Sequence, residues 1–127
     1  MTLIDRLSKL DGPDREVDAQ IYILFNIPTE RAGRIDYANG MVGWWPKDGP
    51  YVSAVTVPAY TASVDAAIAL AARLFPGTEY EFTNLYNIVR VTIEMNGEFG
   101  GFHGEHVNSL PIAICIALLR AKEASEL

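Results

Sequence analysis

The sequence predicts an α+β domain built as a layered sandwich, with helices packed on an antiparallel sheet of about four strands. Three observations predict it. MVGWW and YVSAVTV flank PKDGP, which is strong turn chemistry. EYEFT and NIVRVTIEM flank the short turn NLYN, and both alternate between polar and apolar residues. Before, between and after these pairs lie stretches whose apolar residues recur every three or four positions, the period of a helix. Strands joined by short turns pair as hairpins, and a sheet with an apolar face needs helices to cover it. The expected order is ααββαββα in a single domain over residues 1–127, with a helical N-terminal segment over 1–26 and the sandwich core over 41–121.

Each element has its own signal. Leu3, Ile4, Leu7 and Leu10 are spaced for a short amphipathic helix, which Gly12 ends. Pro13 suits the first turn of a second helix, where its missing N–H costs nothing, and Val17, Ile21, Leu24 and Phe25 form that helix's stripe. PTERAGRIDYANG reads as a loop with a short turn of helix or strand near Ile35 to Tyr37. The third helix is the clearest. Thr61 or Ser63 caps it, Asp65 favours its dipole, Val64, Ala67, Ile68, Ala71 and Leu74 face inward, and Pro76-Gly77 stops it. In NIVRVTIEM, Val89, Val91, Ile93 and Met95 share one face and Arg90, Thr92 and Glu94 the other. Ser109 is the natural N-cap of a last helix whose middle is apolar on all sides. Such a helix is either central or shared with a partner subunit, so a homo-oligomer is expected.

Composition excludes several function classes. A chain of 127 residues, half apolar and one fifth charged, makes one ordinary globular core. The net charge of −6 leaves no large basic face, which disfavours direct nucleic-acid binding. The single cysteine, Cys115, lies in the apolar run PIAICIALL and reads as a small core hydrophobe in a reducing compartment. MTLIDRLSKL carries Asp5, Arg6 and Lys9, so it has no apolar core of a secretory signal. The longest apolar run, Leu110 to Leu119, falls short of the roughly 20 residues that span a bilayer. A soluble protein of the cytoplasm is expected.

Candidate chemistry concentrates in GEFGGFHGEHVNSL. It holds four of the chain's ten glycines and both histidines, His103 and His106. One reading is a metal or acid–base site, with Glu94, Glu98 or Glu105 adding an oxygen ligand. Three protein ligands with an open position suit a zinc hydrolase. The spacing is not H-E-x-x-H, and the glycines argue against the helix that would bring two histidines three apart onto one face. A second reading is a connector, in which Gly100 and Gly101 permit unusual backbone conformations, Phe99 and Phe102 anchor it and Asn108-Ser109 starts the helix. A third is an anion site, because free N–H groups ahead of a helix attract phosphate. Neither a phosphate-loop lysine nor G-x-G-x-x-G is present. Trp44 and Trp45 are the other conspicuous pair. Adjacent strand residues point to opposite faces, so one is core and the other faces a second layer, a ligand or a partner, with Tyr37, Tyr51 and Tyr60 near in sequence.

Three stretches together resemble small phage and prophage proteins that carry the phage ABA sandwich domain: LIDRLSKLDGPDREVDAQI, PAYTASVDAAIALAARLFPG and GFHGEHVNSLPIAICIALLRA. Trp44, Trp45, Pro58 and Tyr60 to Ala67 follow that family's tryptophan-bearing segment, proline and Y-T-x-S-x-D-A-A helix. Leu110 to Ala121 match its closing helix. IPTERAGRIDYANG and EYEFTNLYNIVRVTIEMNGEFGG depart from it. The resemblance implies an α-β-α sandwich of phage or prophage origin and no particular activity, since the shared motifs are helix starts and core residues. Origin, size and acidity then lead to a non-enzymatic binding protein in the bacterial host cytoplasm. It would antagonise a host defence protein or sequester a small phosphorylated, nucleotide-like signal, with no cofactor. The residues expected to bind are Trp44, Trp45, Arg90, Gly100, Gly101, His103 and His106. A metal-dependent hydrolase using His103 and His106, with Glu98 or Glu105, and a virion structural or assembly protein are the alternatives.

Overall fold

The computed structural model describes residues 2–28, 30–38, 40–86, 88–94 and 101–125. Among them are four helices and two three-stranded antiparallel sheets. The order is α1 (Leu3–Ser8), α2 (Arg15–Asn26), β1 (Ala32–Ala38), β2 (Met41–Pro46), β3 (Val52–Thr56), α3 (Val64–Leu74), β4 (Glu79–Leu85), β5 (Ile88–Glu94), β6 (Phe102–His106) and α4 (Leu110–Ser125). The α+β class and the two hairpins stand as expected. The count of about four strands in one sheet does not: β1 and β6 each add a third strand to a hairpin, giving ααβββαβββα. The chain divides into two compact units, Arg15–Pro58 and Met1–Asp14 with Ala59–Leu127.

In Arg15–Pro58 the sheet order is β1-β2-β3 and α2 packs on β2. Pairing is Ile35 to Trp44 and Tyr37 to Val42, so these four share one face. Arg34 pairs with Trp45 and Asp36 with Gly43 on the other. The charged outer face disguises β1 in the sequence, and charges on an edge strand are a common guard against stray pairing. One side chain ties the unit together. Arg15 pairs with the fully buried Asp18 carboxylate at 2.9 Å and donates to the carbonyls of Val57 at 2.7 Å and Gly40 at 3.4 Å. It thus joins the start of α2 to the turn after β1 and to the exit from β3. The buried positions of α2 are Val17, Asp18, Ala19 and Ile21, whereas Leu24 of the expected stripe is exposed.

The other unit is organised around α4, which touches β5, β6, α1 and α3. Every residue from Ile112 to Leu119 is at most 3% exposed, including Cys115. A helix apolar on all sides is therefore the central one, the first of the two arrangements its composition allows. Ser109 caps it by accepting from the Ile112 N–H at 3.2 Å. Ser63 caps α3 by accepting from the Ala66 N–H. Thr61 instead accepts from the Asp14 N–H at 2.9 Å. The buried positions of α3 are Ala67, Leu70 and Ala71. Thr2 and Asp5 close α1 with a reciprocal capping box. That helix stops at Ser8, with Lys9 as its C-cap, three residues before Gly12. Among the described residues, no helix is long and apolar enough to cross a membrane.

Strand β6 arises from the stretch that reads as a glycine connector. Gly104 pairs with Val91, and a Cβ there would overlap the Ala113 carbonyl and the Ala117 N–H of α4. Only glycine lets α4 lie this close to the sheet. Gly101 enters the strand at φ +34°, where a Cβ would stand 2.5 Å from the Ile93 carbonyl oxygen. The glycines thus serve close packing rather than looseness.

Candidate functional site

The register of the second sheet sorts the expected site residues by face. Opposite partners in antiparallel strands share a face. Thr83, Arg90 and Glu105 line up across the three strands, and beside them Glu81, Thr92 and His103. Arg90, His103 and Glu105 are therefore brought together on one polar face. There they satisfy one another and their neighbours. Arg90 Nε stands 3.4 Å from Glu105 Oε1, with both side chains half-exposed. Thr92 Oγ1 hydrogen-bonds His103 Nδ1 at 2.9 Å. Arg120 of α4 donates to the His103 carbonyl at 2.7 Å.

His106 lies on the opposite face, in line with Asn84 and Val89, and is 4% exposed. Backbone N–H groups of Asn108 and Ser109 donate to its Nδ1 at 3.1 and 3.0 Å. A nitrogen that accepts two N–H groups carries no proton, so the proton sits on Nε2, which donates to the Leu10 carbonyl at 2.7 Å. Both ring nitrogens are used. His106 pins Leu10, two residues past the end of α1, to the start of α4.

The two histidines do not converge. Three residues apart on a helix they would share a face; on a strand of period two they fall on opposite faces. Among the described residues, no group of three or more His, Cys, Asp or Glu could hold a metal ion. Gly100 and Glu98 lie outside the described residues. Gly101 contributes backbone geometry at the entry to β6.

Trp44 and Trp45 belong to the Arg15–Pro58 unit, apart from the unit that carries Arg90 and the histidines. Neither is fully buried. Trp44 shares the face of the buried Val42. Trp45 is covered on the other face by the Arg34 guanidinium, 4.7 Å from its ring centre, and by the Tyr51 ring at 4.4 Å, tilted by 39°. Arg34 is itself oriented by Asp36 at 3.1 Å. This is a cation–π stack closed upon itself. Of the other tyrosines near in sequence, Tyr60 is buried in the second unit and Tyr37 is 39% exposed on the Trp44 face.

The most conspicuous surface is one that sequence reasoning passed over, the β4–β5 hairpin. Leu85 pairs with Ile88, so the turn has only two residues, and the first, Tyr86, takes φ +53°. Such turns favour Asn or Gly, because a side chain with φ above zero meets its own backbone. Tyr86 nevertheless sits there 89% exposed, with Phe82 at 46% and Ile88 at 41%. Tyr80 and Phe82 stack with ring centres 6.2 Å apart. The available signal was a bulky aromatic in NLYN where turn chemistry prefers a small residue.

No family model, curated protein or solved structure matches this chain.

Proposed function

We propose that this chain is a small non-enzymatic binding protein that works by occupying a surface of another protein. The observation that carries this reading is Tyr86, a nearly fully exposed aromatic held at φ +53° on a hairpin tip. Backbone strain at an exposed aromatic costs stability and is retained where it serves contact. Tyrosine supplies large contact area at small conformational cost. The residues that suggested chemistry support the same reading by their engagement: His106 in backbone bonds, His103 with Thr92, Arg90 with Glu105. The resemblance to phage ABA sandwich proteins supports a phage or prophage origin, an α-β-α arrangement, and a host protein of the bacterial cytoplasm as the partner. A homo-oligomer remains part of the proposal, to be read from the native mass.

The test is photo-crosslinking in bacteria, with benzoylphenylalanine in place of Tyr86 and, as control, in place of the exposed Ala72 on α3. One host protein crosslinked at 86 and not at 72 supports the reading. Equal labelling at both positions, or a purified chain whose native mass carries stoichiometric metal or nucleotide, overturns it.

A further inference from the structure

The second sheet has two edges, β4 and β6, and Arg120 takes one carbonyl of β6, that of His103. Among the described residues, no strand pairs with the outer edge of β4. An unpaired edge presents a row of backbone groups able to accept another strand. The charges of β4, EYEFTNL, are Glu79 and Glu81, which discourage a like-charged strand and leave the edge open to a cationic one. Its alternation is sharp. Tyr80 and Phe82 lie on the apolar face, with Phe82 46% exposed. Glu79 and Glu81 lie on the polar face, and Glu79 stands directly opposite Glu94.

Like charges directly opposite across a ladder repel. No described cation pairs with Glu79, Glu81 or Glu94. Glu79, Tyr80, Glu81 and Glu94 line a shallow cavity of about 190 Å³. The Tyr80 hydroxyl is enclosed and has no hydrogen-bond partner among the described residues. The site therefore has open backbone groups, the half-exposed Phe82 on its apolar face and, on its polar face, an acidic row that forms no ion pair among the described residues.

We propose that the outer edge of β4 takes up an extended strand of a partner protein in which lysine or arginine alternates with apolar residues. The cations meet Glu79, Glu81 and Glu94, and the apolar side chains cover Tyr80 and Phe82. Main-chain bonds supply the affinity and the alternate side chains the specificity, as in other strand additions. A second copy of this chain is disfavoured as occupant, because pairing β4 with itself sets the two acidic rows on one face. The inference rests on the protein-binding reading above and adds the mode and the chemistry of the partner.

The test uses the full chain and three fluorescein-labelled ten-residue peptides: lysine alternating with valine, glutamate alternating with valine, and lysines and valines in two blocks. Anisotropy is read at low salt, and amide hydrogen exchange follows residues 79–85. The alternating cationic peptide binds and slows exchange in β4, while the acidic and block peptides do neither. The E79K/E81K double variant, whose substitutions also relieve the repulsion with Glu94, weakens the cationic peptide by about tenfold or more. It also acquires binding of the acidic peptide. Equal binding of the block peptide means general charge attraction and overturns the proposal. So does unchanged exchange in β4, or a dimer in sedimentation that Phe82→Ser dissociates. If the crosslink at 86 persists while the alternating peptide fails to bind, strand addition falls and the protein-binding reading survives.

Discussion

His106→Ala tests whether that imidazole is a fastener. The side chain makes three hydrogen bonds to backbone: one donated to Leu10 and two accepted from Asn108 and Ser109. A net contribution of about 1 kcal/mol each gives roughly 3 kcal/mol, and regained water at the exposed Asn108 lowers this to about 2–3 kcal/mol. Two conservative variants separate the halves of the ring. Asn places an acceptor near Nδ1 and keeps the two N–H bonds, so His106→Asn costs about 1 kcal/mol. Gln places a donor near Nε2 and keeps only the Leu10 bond, so His106→Gln costs about 2 kcal/mol. Urea unfolding followed by circular dichroism reads the order wild type, Asn, Gln, Ala from the midpoints at constant slope. An Ala variant within about 0.5 kcal/mol of wild type, the ordinary range for a surface change, would refute the reasoning. A Gln variant more stable than Asn would refute the assignment of the two nitrogens.

Three further outcomes follow from the same geometry. Gly104→Ala drives a methyl group into the α4 backbone and costs about 3 kcal/mol or more in the same urea assay, although alanine is otherwise the mildest replacement. Tyr86→Asn relieves the left-handed conformation and raises stability by about 1 kcal/mol while removing the exposed aromatic, so the thermal midpoint rises as partner capture falls. The Thr2 backbone N–H, and then its hydroxyl, hold the Asp5 carboxyl below the ordinary aspartate range. Because the folded value lies below the unfolded one, the stabilisation of α1 is present above the unfolded value and is lost as pH falls through the folded one. A carboxyl NMR titration reads the lowered midpoint, which Thr2→Gly shifts upward.

Legibility in the sequence followed the kind of signal each element carried. Helices α3 and α4 were readable because Ser63 and Ser109 cap them and Pro76-Gly77 ends the first. The hairpins β2–β3 and β4–β5 were readable because strong turn residues or strict alternation flank them. Strand β1 was obscured because its outer row is Arg34 and Asp36, and β6 because Gly101 and Gly104 read as looseness. In β6 the glycine is demanded by a contact distant in sequence, the α4 backbone over Gly104, which no local pattern encodes. The third strand then changes the meaning of the most suggestive spacing in the chain. His103 and His106 suggest a shared site only if the element between them has the period of a helix. Once Phe102–His106 is a strand, the same three-residue interval sends one imidazole to Thr92 on the polar face and the other to backbone under α4. A histidine pair is thus evidence of chemistry only after the period of its element is known. Here that period ties each imidazole into the framework on its own face of the sheet.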